Sequence, residues 1–183
     1  MTCINSSAFS VCNSIKDLLA QHNYPKSIVE VNPQKSSFEL PAQPHSGKQG
    51  FILWEPKNAT GRSAFMATFS DGWATLIHNM GTTYKHDCLK IRISSVTAIY
   101  PICELFYYEG GEEKRLIRSM KDEPRWEFYQ KGAPLQFEKL DYYKKRRIKD
   151  RFSEELLLEY LLMMGWNIRD EIFWKTEIPY YRM

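Results

Sequence analysis

The residues of this chain best suited to acid–base or metal chemistry are its four histidines, His22, His45, His78 and His86. His78 and His86 flank Gly81, and Asp87 and Cys88 follow the second of them. Folded across a turn, such a group can hold a metal or move a proton. Its spacing matches neither HExxH nor HxH, however, and no GxSxG turn supplies a hydroxyl nucleophile. GxxxxGK[ST] and GxGxxG, which cradle phosphates, do not occur either. The plainer reading is of surface and turn histidines, so no catalytic residue, metal or cofactor is expected, with His78, His86 and Asp87 kept as the place for a cryptic site. Cys3, Cys12, Cys88 and Cys103 form no CxxC pair, and the first residues lack the basic and apolar regions of a signal peptide. Reduced thiols and a cytoplasmic location are the expectation.

Two charged constellations remain. Lys144, Lys145, Arg146, Arg147, Lys149 and Arg151 form a basic run able to neutralise the phosphates of a nucleic acid. The alternative is a solvated helix face, with Asp141–Lys145 and Arg151–Glu155 as i, i+4 pairs. Residues 139 to 151 carry seven Lys/Arg against two Asp, and residues 152 to 183 three against six acids; the total is only +3. That mild charge makes nucleic acid the second choice of partner. Glu104, Tyr107, Tyr108, Glu109, Glu112 and Glu113 form an acidic–aromatic edge that can offer carboxylates and phenol rings to a basic protein. Its counterpart is a solvated hairpin tip.

The elements that must position these groups add up to one domain of α+β class, since 183 residues suffice for one sizeable core. Residues 1 to 25 predict a helix, capped by Ser6 or Ser7 and stopped near Pro25. Residues 26 to 50, with three prolines and two glycines in 32 to 50, read as an irregular loop. Residues 51 to 138 read as an antiparallel meander of about five to seven strands, because turns this short exclude parallel crossovers. Within it "SAFMATFSDGWATLIHNM" predicts a hairpin about Asp71-Gly72, and "CLKIRIS" sets Leu89, Ile91 and Ile93 against Lys90 and Arg92. Residues 139 to 165 predict helix: either two pieces capped by Asp141 and Ser153 or one continuous helix, stopped by Gly165 and covering one face of the sheet. Residues 166 to 183 are an edge strand or a packed aromatic tail. The apolar stretch Leu156 to Met164 falls well short of the ~20 residues of a membrane span, so no membrane partner is expected.

The stretch "FYYEGGEEKRLIRSM", followed by "RWEFYQ" and "KGAPLQFE", is a hairpin and strand closing on G-x-P-L-x-F-E, with Gly132 and Pro134 as the turn and Leu135 and Phe137 packed beneath it. Together with "DGWATLIHNM" and "CLKIRISSVTAIYP" before it, this order resembles small bacterial immunity-type proteins encoded beside polymorphic or contact-dependent toxins, over about residues 70 to 138. The first fifty residues and the basic helical end lie outside the resemblance. It implies stoichiometric binding of a cognate toxin domain, whose active site the protein would cover, with no catalytic residues of its own.

Overall fold

A computed structural model describes residues 1–23, 27–34, 50–68, 73–94 and 97–183. Among these residues nine strands form one open sheet in which every pairing is antiparallel. In chain order they are β1 (Thr2–Ile4), β2 (Val29–Val31), β3 (Phe51–Trp54), β4 (Ser63–Ala67), β5 (Cys88–Ile93), β6 (Ile102–Glu109), β7 (Glu112–Asp122), β8 (Arg125–Lys131) and β9 (Tyr180–Arg182). Across the sheet the order is β2-β9-β3-β4-β1-β5-β6-β7-β8. β5 to β8 are the expected meander. The count exceeds the expected five to seven because β1 and β2 have three residues each, too few to show a period of two. β9 is a strand, but an interior one between β2 and β3 rather than at the edge.

Strand alternation sends side chains to two cores on opposite faces. On one face Ile4, Phe51, Leu53, Phe65, Cys88 and Tyr108 pack under α1 (Ala8–Gln21) and α2 (Ala74–Thr82). On the other, Cys3, Ile52, Trp54, Leu89, Ile91, Leu105 and Ile117 pack under α3 (Glu154–Met163) and the aromatic tail. α1 starts as expected, with the Ser7 hydroxyl accepting from Ser10 N at 3.3 Å, and it buries Val11, Cys12, Ile15, Leu18 and Leu19. The tail is held by Trp54, whose indole N–H donates to Phe173 O at 3.0 Å.

Two expected elements take another form. "WATLIHNM" is not the second arm of a hairpin but helix α2, because Leu76, Ile77, Met80 and Gly81 share one helical face that fits the sheet. The Asp71-Gly72 turn lies outside the described residues. Residues 139 to 153 are not a helix either: they contain 3-10 turns at Tyr142–Lys144 and Ile148–Asp150, and Asp141 makes no side-chain cap. A regular helix there would stack Lys145 on Lys149 and Arg147 on Arg151, like charges at i, i+4. α3 starts only at Glu154, where Ser153 Oγ accepts from Leu156 N at 3.4 Å, and Gly165 (φ +80°) follows its end.

Helix α2 comes so close to β6 that a Cβ added at Gly81 would lie 2.5 Å from Cγ of the buried Tyr108 ring. Gly81→Ala, which would stabilise an exposed helix, should here cost about 1–3 kcal/mol through overpacking. Urea denaturation compared with the parent protein measures it.

Candidate functional site

The turn residues Gly132 and Pro134 bring the chain back over the end of β7, and Glu138 is the residue that fastens it. The side chains of Arg115 and Glu138 are 1% and 0% exposed and form a two-pronged pair, Nε to Oε1 at 2.8 Å and Nη2 to Oε2 at 2.6 Å. Arg115 spends its other donors on Lys131 O, Gly132 O and the Gln130 side chain at 3.2, 2.8 and 2.7 Å. Glu138 also accepts from Leu135 N at 2.9 Å and from Tyr143 Oη at 2.9 Å, and Tyr143 meets Tyr160 Oη of α3 at 3.2 Å. Burial alone would lower the Arg115 pKa, but the hydrogen bonds and charge of Glu138 outweigh it and hold the guanidinium above its ordinary value. At Gly132 (φ +86°) a Cβ would collide with the Lys114 carbonyl, so glycine is required. Phe137 packs edge-on against Tyr160 at 5.6 Å, and Leu135 is half-buried. The sequence showed the turn but not the lock, because Arg115 and Glu138 lie 23 residues apart with no motif joining them.

The acidic–aromatic residues do not share one surface. Tyr108 is buried under α2 and Tyr107 points to the opposite face, its hydroxyl donating to Glu109 at 2.7 Å. Glu112 pairs with Lys114 at 2.6 Å and Glu113 with Lys131 at 3.0 Å. Glu104 is 2% exposed, with Lys90, Arg92 and Arg118 at 3.9, 3.8 and 3.8 Å from its carboxylate. These are charge contacts without close hydrogen bonds: Glu104 Oε1 and Arg118 Nε have no hydrogen-bond partner among the described residues. Arg92, Glu104, Arg118 and Tyr129 are register partners across β5 to β8, and the Arg118 guanidinium stands 5.8 Å from the Tyr129 ring centroid. Beside them on β8, Arg125, Glu127, Tyr129 and Lys131 alternate outward as exposed side chains, while Trp126 and Phe128 are half-buried on the α3 side.

The basic run crosses the outer end of the meander. Lys144, Lys145, Arg146, Arg147 and Lys149 are exposed, and Arg151 is half-buried with its Nε donating to Lys145 O at 2.8 Å. The expected helical pairs give way to a Lys144–Asp141 contact at 3.9 Å and to Lys145 over the Tyr142 ring at 3.4 Å. Arg147 and Lys149 join Arg125 and Trp126 in one open depression. Sequence reading missed Arg125, Trp126 and Lys121 as neighbours of this run, since only the fold brings the β7–β8 hairpin against it.

The histidines stay apart in role. His22 is the C-cap of α1 and exposed; His78 is exposed and stands edge-on to Tyr108 at 5.9 Å; His45 lies outside the described residues. His86 is buried between two hydroxyls, Ser6 Oγ at 2.8 Å from Nδ1 and Ser14 Oγ at 2.9 Å from Nε2. Burial lowers its pKa, while the Asp87 charge acts the other way. Asp87 itself accepts from Gly110 N at 2.9 Å. No group of three or more metal-ligating side chains occurs among the described residues, nor a helix long and apolar enough to cross a membrane. Cys3, Cys88 and Cys103 have thiols pushed up to about 12 by burial, which leaves them protonated and unreactive.

The chain is thus of α+β class, one open antiparallel sheet with helices on both faces. No family model matches it, and no curated protein and no solved structure matches it either.

Removing one member of the buried pair leaves the other charge stranded. Glu138→Gln should lower stability by about 3–5 kcal/mol, and joining Arg115→Met to Glu138→Leu should cost less than the sum of the two; denaturant titration of the cycle decides. For His86, the unfolded imidazole takes up a proton near pH ~6.5 while the folded one resists. Stability should therefore fall as pH drops below about 6.5, and His86→Gln should flatten that part of the pH–stability curve.

Proposed function

We propose that this protein is a non-catalytic binding domain that neutralises a cognate bacterial toxin by covering it, within the cytoplasm of the cell that makes both. The observation that carries the reading is the outer half of the sheet. β8 packs one side on the core and leaves Arg125, Glu127, Tyr129 and Lys131 exposed on the other, and its end is pinned by the fully satisfied Arg115–Glu138 pair. A surface already held in shape gives up little conformational freedom on binding. The lock falls on the G-x-P-L-x-F-E segment that carries the resemblance to immunity-type proteins.

The charges on this face favour one kind of partner. Glu104 is enclosed by three cations, so its carboxylate is not offered outward, whereas Arg92 and Arg118 keep about a third of their side-chain surface exposed, at 37% and 33%. Beside Tyr129 they suit a toxin surface bearing carboxylates, with the aromatic ring as anchor. Glu109 and Glu112 form a separate, acidic rim at the far end of the β6–β7 hairpin.

Co-expression with the toxin domain encoded beside this gene should restore growth and yield an equimolar complex. Tyr129→Ala and Arg118→Gln should each weaken that complex about tenfold or more while leaving the circular dichroism spectrum unchanged. Failure of rescue with every neighbouring toxin removes the immunity reading. Rescue that is indifferent to both substitutions retains it and moves the contact to another face.

A further inference from the structure

On the opposite side of β8 from the proposed partner surface, Trp126 is the shared wall of two depressions. One is a cavity of about 480 Å³ reaching back to Lys121 and Glu154; the other, about 500 Å³ and shallower, is bordered by Arg125, Arg147 and Lys149. Lys149 lines both. The position follows from the fold: Lys121 and Trp126 are register partners across the β7–β8 hairpin, and the 3-10 turn Ile148–Asp150 lays the basic run against that hairpin.

The basic side chains of this cluster differ from several others in having no carboxylate paired to them. Lys57, Lys114, Arg115, Lys131 and Lys139 each have a carboxylate within 3.0 Å. Among the described residues, Lys121, Arg125, Arg147 and Lys149 form no ion pair. Glu154 and Glu155 line the deeper cavity with Lys121 and Lys149, whereas Arg125, Arg147 and Lys149 border the shallower one with no carboxylate. Beside a half-buried indole these three make an attractive field for an anion with a flat apolar part. Each depression has a volume within the range of small-ligand sites.

We propose that this is a binding site for a nucleotide unit: a base stacked on Trp126, with its phosphate held among Arg125, Arg147 and Lys149. Glu154, on the wall of the deeper cavity, repels phosphate there and can accept from the exocyclic amino group of a base, so the base enters the deeper side and the phosphate the shallower. A nucleotide unit of this kind comes either as a free nucleotide or as part of a single strand, and stacking with backbone neutralisation serves both. Trp126 lies on the other face of the sheet from Arg118 and Tyr129, and Arg125, at the start of β8, is the residue common to both surfaces; substitutions at Arg118 and Tyr129 therefore test toxin binding without touching this site.

The test uses the whole protein with ATP, with ribose 5-phosphate as a probe lacking the base, and with a fluorescein-labelled short oligodeoxyadenylate, at low and high salt. Binding is read by calorimetry for the small molecules and by anisotropy for the strand. ATP should bind more tightly than ribose 5-phosphate, and Trp126→Ala should weaken ATP about tenfold, whereas Trp126→Tyr, which keeps a stacking ring, should restore most of it. Arg147→Ala should lower the slope of log affinity against log salt by about one. Tighter binding of the strand than of ATP assigns the site to single-stranded nucleic acid, and the reverse assigns it to a free nucleotide. The proposal is overturned if neither ATP nor the oligodeoxyadenylate binds, if ribose 5-phosphate equals ATP, or if a folded Trp126→Ala protein binds as well as the parent.

Discussion

The outer half of this molecule depends on a charge pair kept entirely out of water. Taking Arg115 and Glu138 from solvent is costly, and their attraction repays it only if every remaining donor and lone pair is used. Here that condition is met, by main-chain carbonyls of β8 and its turn, by Gln130, by Leu135 N and by Tyr143. The partners come from four stretches of chain, so one pair determines where β7, the end of β8, the 132–138 turn and the path toward α3 lie relative to one another. Greasy packing alone tolerates sliding; a fully satisfied polar network has one geometry. Tyr160 extends the network, since its hydroxyl also accepts from Lys139 N at 2.7 Å.

How much of this was legible follows from what a local pattern can carry. α1, β3 and the meander β5 to β8 declare themselves by capping and periodicity, and Ser153 with Glu154-Glu155 marks the start of α3. Three-residue strands carry no period, so β1 and β2 are visible only through their partners, and β9 could be read only as one of two alternatives, with its interior place set by β2 and β3. α2 was obscured by β-compatible residues, and its helical state rests on the close fit of Gly81 to Tyr108. In the 139–153 segment the apolar spacing fitted a helix, but repulsion between basic neighbours and the demands of Tyr143 prevailed. Of the site residues, the run Lys144–Arg151 was plain in the sequence, while the turning inward of Glu104 and Tyr108 required the sheet register.

Averages conceal the electrostatics. A total charge of +3 describes neither face of the meander. On the α1/α2 side, three cations enclose one carboxylate in a row that runs across strands; on the α3 side, unpaired lysines and arginines gather around an indole. At physiological ionic strength a charge acts over ~8 Å, so each surface acts on whatever approaches through its own local field rather than through the total. The acidic C-terminal segment reaches the basic one only in part: Glu159 pairs with Lys139 and Glu154 and Glu155 line a cavity with Lys149, whereas Glu177 pairs with Lys57.

Among the described residues β2 is joined to the sheet through β9 alone, and β9 sits between it and β3. During synthesis, therefore, Val29–Val31 leave the ribosome about 150 residues before the strand they pair with. Until Tyr180–Arg182 arrive, β3 is an open edge with no partner on that side, and the growing chain carries it exposed. The two edges of the sheet are thus completed at different times: the hairpin edge forms from neighbours in sequence, whereas the other waits for the last strand to insert. Chaperone capture of a nascent chain would accordingly be directed at the β3 side.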